Sequence, residues 1–319
     1  MTAPAPGSPG LLTVTKGHGT QNDFVLVDDR FDALDLTEAL VRALADRRAG
    51  IGGDGVIRLV PCDALPEGAR CLAQDPRAEW FMDYRNADGS IAEMCGNGVR
   101  VFAAYLVELG LWDPAADGDL TIGTRAGVRH VRQEPVAGAP GGVWYAVDMG
   151  RWHLPGGAAA ERAGFDAEVV VTGLEVARPA LSVDVGNPHT VLALAGDAEL
   201  DAVDLTRAPS VSPQPPHGTN VELVLPLGEQ TAPDGTLVGR ARMRVHERGV
   251  GETRSCGTGA CAAALAVRTW GGPQAPDVWL VDVPGGTVRV RVLADDHVEL
   301  AGPAVLVARA EVDLAALAV

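Results

Sequence analysis

Lysine is the residue this chain most nearly does without. Lys16 is the only one, so almost all of the 26 basic side chains are arginine. Pyridoxal phosphate, the usual helper in chemistry at an amino-acid α-carbon, is held by a Schiff-base lysine, and Lys16 alone could serve. Long apolar runs are missing too. No window reaches ~18 uninterrupted apolar residues, so no membrane-spanning helix is expected. Residues 1–10 are rich in Pro, Ala and Gly and lack the basic start and apolar stretch of a signal peptide, so they read as a flexible tail. There is no basic stripe, and the net charge is −16 with a pI near 4.8. Neither nucleic acid nor a membrane is expected as a partner.

The cysteines are few and oddly spaced. They are Cys62, Cys71, Cys95, Cys256 and Cys261. An odd number in a long chain argues against a secreted disulfide scaffold. No pair has zinc-finger spacing or forms a CxxC redox motif. The expectation is a cytoplasmic protein with reduced thiols and no metal site. Cys62, Cys71 and Cys261 read as small buried hydrophobes.

What is present is ample for two domains: 319 residues, 47% hydrophobic and 21% charged. Leu11–Thr15 and Asp23–Asp29 read as strands around a polar turn at residues 17–22. Thr37–Arg47 is amphipathic, with Leu40, Val41 and Leu44 on one side. Val56–Val60 and Glu79–Arg85 read as strands. Cys95-Gly96-Asn97-Gly98 then opens a helix, Val99 to Leu109, that is apolar nearly all round and therefore buried. The second half repeats this order. Arg240–Glu247 is strand-like, and Cys256-Gly257-Thr258-Gly259 opens the apolar helix Ala260–Val267. Registered on their cysteines, the halves match Met82 with Met243, Gly96 with Gly257, Gly98 with Gly259, Ala103 with Ala264 and Asn86 with Glu247. Strand patterns follow at Val128–Arg132 and Val288–Val292. An internal duplication is the natural reading. It would bring two Cys-Gly-x-Gly turns to one cleft.

A cysteine at a helix start sits where backbone N–H groups and the dipole favour anions. Its thiol pKa is therefore expected to fall from ~8.5 towards neutrality. Two such cysteines on opposite faces of a carbon can invert it, one taking a proton as thiolate and the other returning one as thiol. Without pyridoxal, the weakly acidic α-proton demands positioning and hydrogen bonds to the carboxylate as it gains enediolate character. His189 and Glu247 are candidates to tune thiol pKa values. Arg248 can grip a second carboxylate at two points. Asn22, Asn86, Asn187 and Asn220 lie in turn-like sequence and can donate to carboxylate and accept from ammonium.

The stretches at residues 18–24, 85–90, 94–98, 186–189, 247–253 and 255–259, in that order, resemble the diaminopimelate epimerase family. The resemblance spans roughly residues 14–305. It implies an α+β fold of two similar domains, each a curved mixed β-sheet wrapped around a central helix, with the active site in the interdomain cleft. The domain boundaries it suggests are 11–142, completed by 303–319, and 143–302. It implies an isomerase that interconverts LL- and meso-diaminopimelate, a small-molecule substrate, in lysine and peptidoglycan-precursor synthesis, with no cofactor or metal, acting as a homodimer. Cys95 and Cys256 would be the acid–base pair, tuned by His189 and Glu247. Asn22, Asn86, Asn187, Asn220, Glu247 and Arg248 would bind substrate, and the backbone of Gly96, Asn97, Gly257 and Thr258 would hold the reacting carboxylate. This chain has Gln21 where many members have Gly, and Gly55 where many have a substrate-contacting Gln. Residues 132–178 carry little motif.

Three rivals share some of these features. A proline racemase or hydroxyproline epimerase uses the same two thiols but needs an apolar slot, against which Glu247-Arg248 and the asparagines argue. A dithiol redox protein would use Cys95 and Cys256 as a reversible disulfide. A non-catalytic amino-acid-binding protein would not need twin thiols. With one lysine and no cysteine–histidine cluster at ligand spacing, activity should survive both EDTA and hydroxylamine. Loss to either reagent, restored by metal or pyridoxal phosphate, would overturn the thiol-only chemistry.

Overall fold

The computed structural model describes residues 10–136, 138–139 and 142–317. Residues 1–9 of the expected tail lie outside them. The chain divides into two compact units, Met1–Tyr145 with Pro303–Val319, and Ala146–Gly302.

In the first unit, Leu11–Gly19 and Asn22–Asp28 form an antiparallel hairpin. Asn22–Asp28 runs parallel to Gly55–Pro61, which pairs antiparallel with Trp80–Asn86. Trp80–Asn86 runs parallel to Leu120–Thr124, which returns antiparallel as Gly127–Pro135. The second unit has the same order. Arg178–Asp184 and Pro188–Ala193 are antiparallel, and Pro188–Ala193 is parallel to Asn220–Thr231. Asn220–Thr231 is antiparallel to Leu237–Glu247, which is parallel to Val278–Val283, itself antiparallel to Gly286–Val292. The matched methionines Met82 and Met243 are both buried, and Asn86 and Glu247 each end their strand.

The fold is α+β, two similar domains with a curved mixed sheet around a central helix. That helix is Gly96–Glu108 in the first unit and Gly257–Gly271 in the second. Neither has a polar face, so each must be covered on every side. Gly96–Glu108 packs against Leu11–Gly19, Asn22–Asp28, Trp80–Asn86, Gly127–Pro135 and the C-terminal strand Val305–Asp313. Gly257–Gly271 packs against all the paired strands of its own unit named above and against His297–Gly302. Among the described residues no helix is long and apolar enough to cross a membrane.

One local expectation needs correcting. The polar stretch at residues 17–22 is not a six-residue turn. Gly17 to Gly19 continue the first strand, Asn22 starts the second, and Thr20 and Gln21 alone make the turn with φ of 50° and 64°. Two successive positive φ values give a turn whose twist matches the hairpin's own, which is why the ladder runs so close to it. Gln21 thus holds a conformation that glycine adopts more easily.

The first unit also buries a charge cluster. Asp83 is fully buried and paired with Arg58, Arg85 and Arg125 at 2.9, 2.9 and 2.7 Å. Burial alone would raise its pKa, but the Arg85 hydrogen bond and the Arg125 charge outweigh that and hold it below the usual carboxylate range. A depressed carboxylate contributes stability above its unfolded pKa of ~3.9, lost as pH falls through the lower folded value. Asp83→Asn should therefore destabilise the protein at neutral pH, by about 3 kcal/mol, because the buried Arg58 and the half-buried Arg85 and Arg125 lose a shared carboxylate. An unchanged urea midpoint at pH 7 would show that the cluster does not hold this sheet.

Candidate active site

The site residues expected from sequence fall into two groups, one in each unit. Each group is built on the first turn of a central helix.

In the first unit Cys95 is the N-cap residue, extended at φ −136° and ψ 119°. The intrahelical ladder begins with Val99 N to Cys95 O at 2.9 Å, so Gly96, Asn97 and Gly98 present their amides ahead of it. Cys95 is half-buried. Its Sγ donates to Asn22 Oδ1 at 3.4 Å, and Asn97 Nδ2 donates to the same oxygen at 3.1 Å. Asn22 is held from behind, with Nδ2 donating to Asp54 Oδ2 at 2.7 Å. Arg47 Nη2 spans Asp54 Oδ1 and Asp23 Oδ1 at 2.7 Å each. Lys16, the sole lysine, is bound to Asp23 at 2.5 Å. Burial would raise the Asp23 carboxyl, but hydrogen bonds from Arg47 and Lys16 hold it well below the usual range. This chain of charges fixes the Asn22 amide with its oxygen towards the thiol. Beneath the turn lies Arg100, fully buried, donating to Asn97 Oδ1 at 2.9 Å, Thr20 Oγ1 at 3.3 Å and Gly96 O at 3.4 Å.

Asn86 belongs to the same unit and is held by Ser90, its Nδ2 donating to Oγ at 3.0 Å. Opposite it in the ladder stands Gly55. A Cβ there would lie 2.4 Å from Arg85 O and 2.6 Å from Tyr84 Cε2. The strands come too close at this point for a side chain, so a glutamine would have no room here.

In the second unit Cys256 is the N-cap, at φ −114° and ψ 116°. Its sulfur does cap the helix, accepting from Gly259 N at 3.3 Å. Thr258 Oγ1 lies 3.6 Å from it, and the charge of the Glu247 carboxyl acts on the thiol. Glu247 is bound to Thr253 Oγ1. His189 is buried, with Nδ1 2.7 Å from Glu222 Oε1 and Nε2 3.0 Å from Asn187 Oδ1. Asn220 Oδ1 accepts from Arg248 N at 2.9 Å. Arg248 itself is exposed, its Nη1 donating to His217 O at 2.5 Å. The structure thus joins Cys256 to Thr258, His189 to Asn187 and Glu222, and Asn220 to the backbone of Arg248, with Glu222 and Cys256 both lying against Gly259.

The expectation of a lowered thiol pKa fails at Cys256. Burial pushes its pKa well above the ordinary thiol value, the charges of Glu247 and Glu222 add to this, and the bonds from Thr258 and Gly259 oppose it too weakly. Helix-start amides stabilise a thiolate, but desolvation and two nearby carboxyl groups count for more. Glu247 is raised too, first by its own burial and then by Glu222 despite the Thr253 bond. Cys62, Cys71 and Cys261 are buried in the cores, and burial first pushes Cys62 up to about 12. Among the described residues no cluster of His, Cys, Asp and Glu could hold a metal ion.

Sequence reasoning missed four contributors. Asp54 and Arg47 orient Asn22, Arg100 underlies the first turn, and Glu222 underlies the second. The last two had a signal, a single charge inside an apolar run: Gly98-Val-Arg-Val-Phe and Asn220-Val-Glu-Leu-Val.

The architecture is shared with solved structures of low sequence identity. A PhzF-family phenazine biosynthesis protein of Bacillus anthracis superposes with a TM-score of 0.62 at 15% identity, covering 95% of this chain and 99% of that one. A hydroxyproline epimerase of Agrobacterium vitis gives 0.56 at 16% identity, covering 96% and 92%. Such identities show the fold alone. The sequence comparisons go further. The diaminopimelate epimerase family model matches residues 14–154 and 181–307. A diaminopimelate epimerase of Streptomyces coelicolor is 49% identical over 312 residues, 95% of this chain and 96% of that protein. One of Thermobifida fusca is 47% identical over 310 residues, 96% and 100%. The chain belongs to the diaminopimelate epimerase family.

The raised thiol pKa has a direct consequence. In the free protein Cys256 should alkylate with iodoacetamide at pH 8 at least tenfold more slowly than free cysteine, whose pKa is ~8.5. Peptide mapping of the time course checks this. Labelling of Cys256 as fast as free cysteine would contradict its burial beside two carboxyl groups.

Proposed function

We propose that this protein interconverts LL- and meso-diaminopimelate by two-base proton transfer between Cys95, the substrate α-carbon and Cys256. The observation that carries the reading is the matched pair: in each domain a cysteine caps the buried central helix, with helix-start amides beside it. The names of the relatives supply the substrate. In one direction one sulfur, as thiolate, takes the α-proton, and the other, as thiol, delivers a proton to the opposite face. In reverse the roles exchange. No net proton is gained or lost, and the two sulfurs end with protonation states swapped.

The carbanion is stabilised as its carboxylate takes on enediolate character, and the amides of Gly96, Asn97, Gly257 and Thr258 are the donors we assign to it. His189 and Glu247 set the thiol protonation states. Asn22, Asn86, Asn187, Asn220, Glu247 and Arg248 bind the substrate's two ends, Arg248 taking the distal carboxylate through its planar fork. Neither cofactor nor metal is needed. We place the enzyme in the cytoplasm, in lysine and peptidoglycan-precursor synthesis, working as a homodimer.

The rival that keeps two thiols but takes a cyclic imino acid rests on fold likeness alone. Incubation with LL-diaminopimelate in D2O separates the readings. The proposal expects deuterium at the α-carbon and growth of the meso isomer, and neither from proline or hydroxyproline. Cys95→Ser and Cys256→Ser should each lose at least 10²-fold in kcat, since serine is a far weaker acid and the lost proton transfer is worth that much. Near-wild-type turnover of either variant in both directions would end the two-base reading.

A further inference from the structure

Glu222 has no place in the reading above, yet it is the most confined carboxyl group near either cysteine. It lies on the strand Asn220–Thr231, whose two-residue period separates two environments. Val221 and Leu223 enter an apolar cluster with Val169, Leu192 and Leu200. Glu222 faces the other way, and its side chain is 0% exposed. Oε1 is 2.7 Å from His189 Nδ1. Oε2 is buried and has no hydrogen-bond partner among the described residues. A Cβ on Gly259 would lie 2.8 Å from Oε1 and 3.2 Å from Cys256 Sγ. The carboxyl group therefore occupies space under the Cys256 turn that only a glycine leaves open.

Burying a carboxylate with one oxygen unpartnered costs free energy that an apolar residue would not. A valine or leucine would suit this strand better if packing were its only duty. We propose that Glu222 is a positioning residue of the Cys256 half-site, orienting His189 through Nδ1 and holding a carboxylate charge beneath the turn that carries the thiol. The inference rests on the two-thiol reading of the site.

Two effects follow. With Nδ1 engaged, the ring's Nε2 is the atom presented to Asn187, which the proposed function assigns to substrate. Negative charge below the turn disfavours a thiolate at Cys256, whose pKa is raised first by burial and then by the charges of Glu247 and Glu222. The ionisable groups whose charge acts on Cys256 are Glu247 and Glu222, with His189 bound behind Glu222, each from a different strand of the same domain. Removing one carboxylate leaves the other in place, so its share is measurable.

The test is Glu222→Gln, which keeps shape and loses charge. The alkylation rate of Cys256 by iodoacetamide, mapped by peptide across pH 6–10, should shift to lower pH by about one unit, a tenfold faster reaction at pH 8. With LL-diaminopimelate, kcat should fall at least tenfold and KM less than threefold. Glu222→Asp should move the alkylation profile back towards wild type. A Glu222→Gln profile that superimposes on wild type would overturn the proposal, whatever happens to turnover. If Glu222→Gln does not fold, histidine-selective 15N NMR of the wild-type protein decides. His189 Nδ1 should carry a proton protected from solvent exchange, and a bare Nδ1 would overturn it. Neither alkylation nor NMR needs substrate, so failure of the epimerase reading, seen as no deuterium incorporation by wild type, is scored separately.

Discussion

A helix with no polar side has to be wrapped, and that requirement organises each domain. Gly96–Glu108 and Gly257–Gly271 carry apolar residues around their circumference, and each is covered by the strands of its own sheet. Side-on approach of water or substrate is closed by this packing, whereas the amides of the first turn lie ahead of the helical ladder. A cysteine at the N-cap therefore sits where the buried axis meets polar chemistry. The glycines that follow it, Gly96 and Gly98 in one copy and Gly257 and Gly259 in the other, keep the first-turn backbone free of side chains. In the mechanism proposed above, thiol and carboxylate-binding amides would come from one helix terminus, a single structural unit used twice.

The two copies are alike in backbone and unlike in charge. Under the first turn lies a buried cation, Arg100, tied to Gly96, Asn97 and Thr20. Around the second lie the buried carboxyl group of Glu222, bound to His189, and the half-buried one of Glu247. A reversible two-base reaction needs one partner to hold a proton while the other lacks it. Duplicated domains with the same fold would give two equivalent thiols if only the helix dipole acted. Differing side chains beneath equivalent turns break that symmetry, and at Cys256 the carboxyl groups and burial outweigh the dipole.

Much of this was legible in the sequence because it depends on local pattern. The apolar helices, the cysteines at their starts, the strand before each and the duplicated order all show as periodicity and spacing. The Thr20–Gln21 turn did not, because polar residues also suit an exposed strand end and positive φ leaves no mark when glycine is absent. Glu222, Arg100 and Asp54 were missed for another reason. An isolated charge in an apolar run has no partner until distant strands come together; Glu222 meets His189 across 33 residues and Asn22 meets Asp54 across 32. The thiol pKa at Cys256 was misread because burial is a property of the fold rather than of the helix start. Gly55 looked like a lost contact, and the fold shows a crowded strand crossing.

The first domain is assembled from both ends of the chain. Val305–Asp313 pairs with Leu11–His18 along its length, packs on Gly96–Glu108, and Pro303 O accepts from Arg100. During synthesis the chain emerges N-terminus first at about 5–20 residues per second. The strand that covers the first central helix thus leaves the ribosome only after the whole second domain. The second domain, contiguous from Ala146 to Gly302, can close while the first still exposes an unpaired strand edge and part of an apolar helix. Such exposed apolar surface is what chaperones recognise. The second domain holds all of its strands in one contiguous stretch, whereas the core around Gly96–Glu108 is complete only once Val305–Asp313 has been added.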